Sequence, residues 1–173
     1  MSRLCLILGL TLVLAACTSV RQAKNAPAES WRMTGKLVLQ TPAASRVLGI
    51  AWNQTDDQSD IRLSGPLGVG VATIAAGPDE VIVDTGDEIS RYRPGDELMT
   101  TGLGALQLPW HSLVWWVRGW EDAARTPVPA AGVRNGDWVF TVQQIDAEGP
   151  RQMLLEHPEV RLRLKVRQWS WQG

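Results

Sequence analysis

From Trp31 onward, apolar and polar side chains alternate with a period of two, and glycine- or proline-bearing turns interrupt the alternation. In "WRMTGKLVLQ", Trp31, Met33, Leu37 and Leu39 share one face, while Arg32, Thr34, Lys36 and Gln40 share the other. This is a strand with one dry side. "LGIAWNQ" repeats it with Leu48, Ile50 and Trp52, and "SDIRLS" with Ile61 and Leu63. "GVGVATIAA" continues less regularly, and "DEVIVD" and "EISRYR" form a hairpin joined at Thr85-Gly86. "DWVFTVQQ" brings Trp138, Phe140 and Val142 together, and "PRQMLLEH" adds a further strand. "VRLRLKVRQW" alternates most cleanly, with Val160, Leu162, Leu164 and Val166 inward and Arg161, Arg163, Lys165 and Arg167 outward. Short strands divided by turn signals every eight to twelve residues or so predict an antiparallel meander, mainly β, curled into a barrel or half-barrel.

Two segments depart from period two. "PGDELMTTGLGAL" (94–106) opens on Pro94 and acidic residues and ends at glycines, which predicts a helix. "PWHSLVWWVRGW" sets Leu113, Trp116, Val117 and Trp120 at helical spacing, with Arg118 and Gly119 near the end. Two short helices of this kind would cap or plug the curved sheet. "ARTPVPAAGVRNGD" (124–137) reads as a flexible loop. Between two strands lies "LSGPLGVGVA", in which Pro66 suits the second position of a tight turn and Gly68 the fourth. Leu67 then occupies the tip, where a polar residue is the norm.

The N-terminus has a different pattern. Arg3 precedes "LCLILGLTLVLAA", an apolar run too short to span a bilayer as a helix and suited to a signal h-region. It ends in "LAAC", which resembles the bacterial lipobox. That resemblance implies that residues 1–16 are removed and that Cys17 becomes the lipidated first residue. Thr18 in place of aspartate implies the outer membrane rather than retention at the inner one. Residues 17–30 are small and polar and read as a tether, with a root-mean-square span of about 20 Å. Residues 31–173 then form the folded domain. With Cys5 in the signal and Cys17 lipidated, that domain has no disulfide, and its stability must come from packing.

The net charge of −1 and pI of about 6.1 give no general attraction to nucleic acid. His111 and His157 have no second histidine or cysteine at ligand spacing, and no nucleophile elbow, P-loop or H-E-x-x-H motif occurs. The expectation is therefore no catalytic residue, no metal, no cofactor and no enzyme activity. Tryptophan supplies nine of eleven aromatic residues, and that bias suggests a curved sheet lined with large apolar groups around a cavity for a greasy ligand. The candidate lining is Ile50, Trp52, Leu63, Leu113, Trp116, Val117, Trp138 and Phe140. The basic outer row of the last strand faces solvent, anionic lipid or an acidic partner.

Four motifs in order, after the lipobox, resemble the LolB family of outer-membrane lipoprotein acceptors. They are "WRMTGKL", "DIRLSGPLG", "LPWHSLVWWVRG" (Pro109, Leu113, Trp116, Gly119) and "VRLRLKVRQW", and the likeness covers about residues 31–169. The resemblance implies an incomplete, half-open antiparallel barrel whose helices sit in its open face over a hydrophobic cavity. It implies partners: a LolA-type periplasmic carrier, the acyl chains of cargo lipoproteins, and the outer membrane that receives them on its periplasmic side. It also implies that the turn Pro66-Leu67-Gly68 touches that membrane, with Leu67 protruding. Nothing points beyond a monomer. The alternative is a structural or ligand-binding lipoprotein that holds a small apolar or glycan ligand on its tryptophans.

Overall fold

The computed structural model describes residues 30–93, 98–100, 104–106 and 108–172. The long alternating runs form β1 (Ser30–Gln40), β2 (Ser45–Thr55), β3 (Gln58–Ser64), β4 (Gly70–Ala76), β5 (Val81–Asp84) and β6 (Ile89–Tyr92). After β7 (Leu98–Thr100) and β8 (Gly104–Leu106) come α1 (Trp110–Trp116), β9 (Val133–Asn135), β10 (Trp138–Asp146), β11 (Gly149–His157) and β12 (Val160–Gln172). Ten strands make one antiparallel sheet in the order β6-β5-β4-β3-β2-β1-β12-β11-β10-β9. Two meanders are thus joined where the first strand pairs with the last. The sheet's edges, β6 and β9, do not pair with each other, so the sheet stays open, as expected for an incomplete barrel.

Two expectations are corrected. Where residues 94–106 are described they are strand rather than helix: Leu98–Thr100 pairs with Gly104–Leu106 as a separate two-stranded sheet, while 94–97 and 101–103 of the expected helix lie outside the described residues. Thr100 and Gly104 in the paired segments are poor helix formers, which favours strand there. α1 is therefore the one α-helix among the described residues, and the covering helices reduce to a single element of seven residues. Nor is 124–137 a plain loop. Trp120 bridges Pro127, and β9 pairs with β10 through a two-residue connection, Gly136-Asp137. Gly136 has a φ of 57°, which suits glycine at the first position of a two-residue hairpin loop.

A β-bulge sets the phase of the core. β12 pairs Val166 with Gly35 and then Gln168 with Thr34, leaving Arg167 as the extra residue. Strict alternation from Val160 would point Gln168 inward; the bulge turns Trp169 inward instead, where it is buried. Gly35 permits the close approach, since a Cβ there would lie 2.3 Å from the Lys165 carbonyl oxygen. Trp169 then meets Trp31 edge to face at 5.4 Å, and Trp31 meets Trp52 at 5.3 Å. The Trp169 indole N–H donates to the Pro150 carbonyl at 2.9 Å, which ties β12 to the start of β11.

Candidate functional site

The inner face of the sheet and the buried stripe of α1 form one core. Trp110, Leu113 and Trp116 follow helical spacing toward the sheet, and Trp116 stacks on Phe140 of β10 at 5.5 Å. The helix ends at Gly119, φ 84°. The Gly119 N–H donates to the Trp116 carbonyl at 2.8 Å and the Trp120 N–H to the Trp115 carbonyl at 3.1 Å. This pair of hydrogen bonds around a left-handed glycine closes many helices. Gly119 lies against Pro150, whose Cγ would be 3.2 Å from an added Cβ.

Of the eight candidate lining residues, Ile50, Trp52, Leu113, Trp116, Val117, Trp138 and Phe140 are buried, and Leu63 packs partly buried against them. The structure brings all eight to one apolar cluster. Where the core opens, a cleft of about 360 Å³ lies between α1 and the β2–β3 turn, and different residues line it. Trp110, Val114, Trp115 and Arg118 form the helix side, and Gln54, Ser59 and Ala76 the sheet side. Sequence reasoning passed over Val114 and Trp115 because they lie off the buried stripe. The signal was present: "WHSLVWW" carries apolar residues on both sides of the helix, more than one core contact uses.

The sheet side is polar but satisfied. Buried Gln54 accepts from the Trp52 indole at 3.3 Å and from the Ser59 hydroxyl, and donates to the Asp56 carbonyl at 2.8 Å. On the helix side Arg118 is 7% exposed. Its Nε donates to the Val114 carbonyl at 3.0 Å, and its guanidinium lies 4.2 Å over the Trp115 ring. Burial, followed by repulsion from Arg125, lowers its pKa to about 10. No group of three or more His, Cys, Asp or Glu is placed to hold a metal among the described residues. No helix among them is long and apolar enough to cross a membrane.

The second feature is the β3–β4 turn. The Gly68 N–H donates to the Gly65 carbonyl at 3.2 Å, with Pro66 and Leu67 at the central positions, as the sequence predicts. Leu67 sits at φ 66°, ψ 12°, the left-handed conformation that the third position of a type II turn requires. A leucine there costs about 1–2 kcal/mol relative to the right-handed region. It is also 101% exposed, and Val69 behind it is 67% exposed. Cys17 and the whole of residues 1–29 lie outside the described residues.

Residues 29–169 match the family described as outer membrane lipoprotein LolB. The chain belongs to the LolB family. An outer-membrane lipoprotein LolB of Thiobacillus denitrificans is 29% identical over 98% of both chains. One of Shewanella loihica is 27% identical over 92% of this chain and 83% of its own. One of Ectopseudomonas mendocina is 26% identical over 82% and 75%. A solved LolA superfamily protein of Nitrosomonas europaea is similar over 85% of this chain and 88% of its own, with 9% identity and a TM-score of 0.44. As a LolB family member the chain is a lipid-anchored outer-membrane lipoprotein that acts in lipoprotein localisation. That is a trafficking role, and family membership implies interaction with LolA and with lipoprotein cargo. The small-ligand alternative is not favoured.

Proposed function

We propose that this LolB family chain takes acylated proteins from a LolA-type carrier at the cleft beside α1 and passes them into the membrane at the Leu67 turn. The observation that carries the reading is Leu67 itself, fully exposed in a backbone conformation that disfavours it. A residue that costs stability in two ways, by strain and by apolar exposure, fits a contact made only when a membrane is present. One leucine side chain contributes about 1.5–3 kcal/mol on entering an apolar phase, enough for a brief touch and too little for a second anchor.

An acyl chain of roughly 16 carbons resists water by about 13 kcal/mol, so cargo must pass between shielded sites. Val114 and Trp115 offer apolar surface at the cleft mouth, continuous through Trp110 with the buried cluster that contains Trp52, Trp116 and Trp138. α1 rests on the sheet largely through side chains, so it is the element whose shift would open the cluster to a chain. The small polar residues after Cys17, read from their composition as a tether, would let the domain turn between carrier and membrane.

The test uses a carrier loaded with labelled lipoprotein, the chain from residue 17 on with Cys17→Ala, and liposomes. Label should move to the chain with or without Leu67→Glu, and reach liposomes at least tenfold less with Leu67→Glu. Equal delivery by both would remove the turn from the mechanism, and label that never left the carrier would sink the acceptor reading.

A further inference from the structure

The outer face of the sheet gathers cations where strand pairing does not favour them. The register sets Lys36 of β1 directly opposite Lys165 of β12. Side chains paired in this way have Cβ atoms about 4.5–5.5 Å apart, and like charges so placed destabilise a sheet. The same cross-strand row continues through Gln152 on one side and through Gly49 and Ser64 on the other, with no carboxylate in it. The next row holds Leu154, Arg163, Val38 and Val47, again without an acid. Arg161 is paired with Glu156 at 2.7 Å. The nearby acids Asp146 and Glu148 are both taken by Arg151. Lys36, Arg163, Lys165 and Arg167 form no ion pair among the described residues.

The position of this patch is specific. A groove of about 620 Å³ on the outer face has Lys36, Lys165 and Arg167 at one end and Gly65 and Pro66 at the other. Val47, 55% exposed, lies along it. Unpaired cations, a shallow apolar groove and the foot of the Leu67 turn are therefore one continuous surface. A solvated face has no need of such a like-charged pair, and nearby carboxylates would remove its cost.

We propose that this surface binds the anionic headgroups of membrane phospholipid: Lys36, Lys165 and Arg167 hold headgroup phosphates while Leu67 enters the acyl layer. The proposal rests on the reading of Leu67 as a membrane contact and adds what orients that contact. Charge complementarity favours lipid, since a bilayer presents anionic groups beside an apolar layer, the same two chemistries that this surface presents side by side. The patch also sets a rotation. The outer face tilts toward the membrane, and the inner face with its cleft stays turned to the periplasm and a carrier.

Every strand pairing among the described residues lies within 30–172, so the chain from residue 17 on with Cys17→Ala retains every described element. Its binding is measured by flotation with vesicles of zwitterionic phospholipid alone, and with phosphatidylglycerol mixed in. Phosphatidylglycerol should strengthen binding. Lys36→Gln/Lys165→Gln should remove most of that gain, a loss of roughly 30-fold at the strength typical of two cations at an anionic surface. The gain should also fall as salt is raised, and inorganic phosphate at equal ionic strength should not compete better than chloride. The double variant should melt no lower than the parent, because it relieves a like-charged pair. Leu67→Glu should weaken binding to both vesicle types. If the double variant floats as well as the parent with phosphatidylglycerol while Leu67→Glu does not, the headgroup site is wrong and the turn reading stands. If the double variant loses binding while Leu67→Glu delivers cargo normally, the headgroup site stands and the turn reading fails. If the double variant keeps its vesicle binding but loses capture by a LolA-type carrier, the patch serves an acidic protein, and the proposal is overturned.

Discussion

The β3–β4 turn holds a leucine wholly in solvent, whereas the end of α1 holds an arginine almost wholly out of it. Both reverse the usual partition of side chains, but the surroundings treat them differently. Arg118 is compensated: a carbonyl accepts from its Nε, and an indole face lies under its guanidinium. Among the described residues Leu67 has no compensation, neither a packing partner nor a relaxed backbone. A compensated inversion belongs to the fold's own stability. An uncompensated one points outside the molecule, to a surface that supplies the missing contact.

Four substitutions test that contrast. The largest effect belongs on the compensated side. Trp116→Ala removes the stack on Phe140 and leaves a void under α1, so it should cost about 3–5 kcal/mol in chemical denaturation. A loss below about 1 kcal/mol would mean that the helix is not packed as described. Gly119→Ala forces a Cβ into the left-handed position against Pro150 and should cost about 1–2 kcal/mol by the same measurement. Leu67→Gly should go the other way, raising stability by about 0.5–1 kcal/mol through relief of the turn while delivery to liposomes falls. A destabilised Leu67→Gly would show that the leucine is packed after all. The smallest effect is a slope with pH. The folded-state pKa of Arg118 is lowered to about 10 from its higher ordinary value, so in the window between them the unfolded chain binds more protons. The stability contribution of this group is therefore least favourable below about pH 10 and improves as pH rises through that window. Arg118→Met should abolish this part of the alkaline pH dependence. An unchanged slope would mean that the group is not desolvated.

Much of the architecture was legible because a one-sided sheet writes its pattern at period two. Trp31, Met33, Trp52, Ile61, Phe140 and Leu164 are buried as the alternation requires. The failures have local causes. Leu98–Thr100 and Gly104–Leu106 pair as strands where a helix was expected, because threonine and glycine disfavour a helix there. At Gly136-Asp137 a hairpin turn was absorbed into a segment that looked like loop. Of the candidate site, the eight apolar residues do converge, but the cleft itself was not legible. Its helix side uses Val114 and Trp115, and only a packed helix reveals which apolar residues are left over.

The sequence alone determined which side chains face inward along each unbroken run of alternation, the tight turn that lifts Leu67 to its tip, and the helix stop at Gly119. Each depends on the chemistry of a few neighbouring residues. The tertiary structure decided what depends on register between distant segments. The pairing of β1 with β12 set Lys36 against Lys165, and the bulge at Arg167 returned Trp169 to the core. It also brought a basic groove to the foot of a turn about a hundred residues away in the chain. Alternation fixes the face of a residue, but a shift of one position along the partner strand reassigns every neighbour on that face, and only the folded sheet selects the shift.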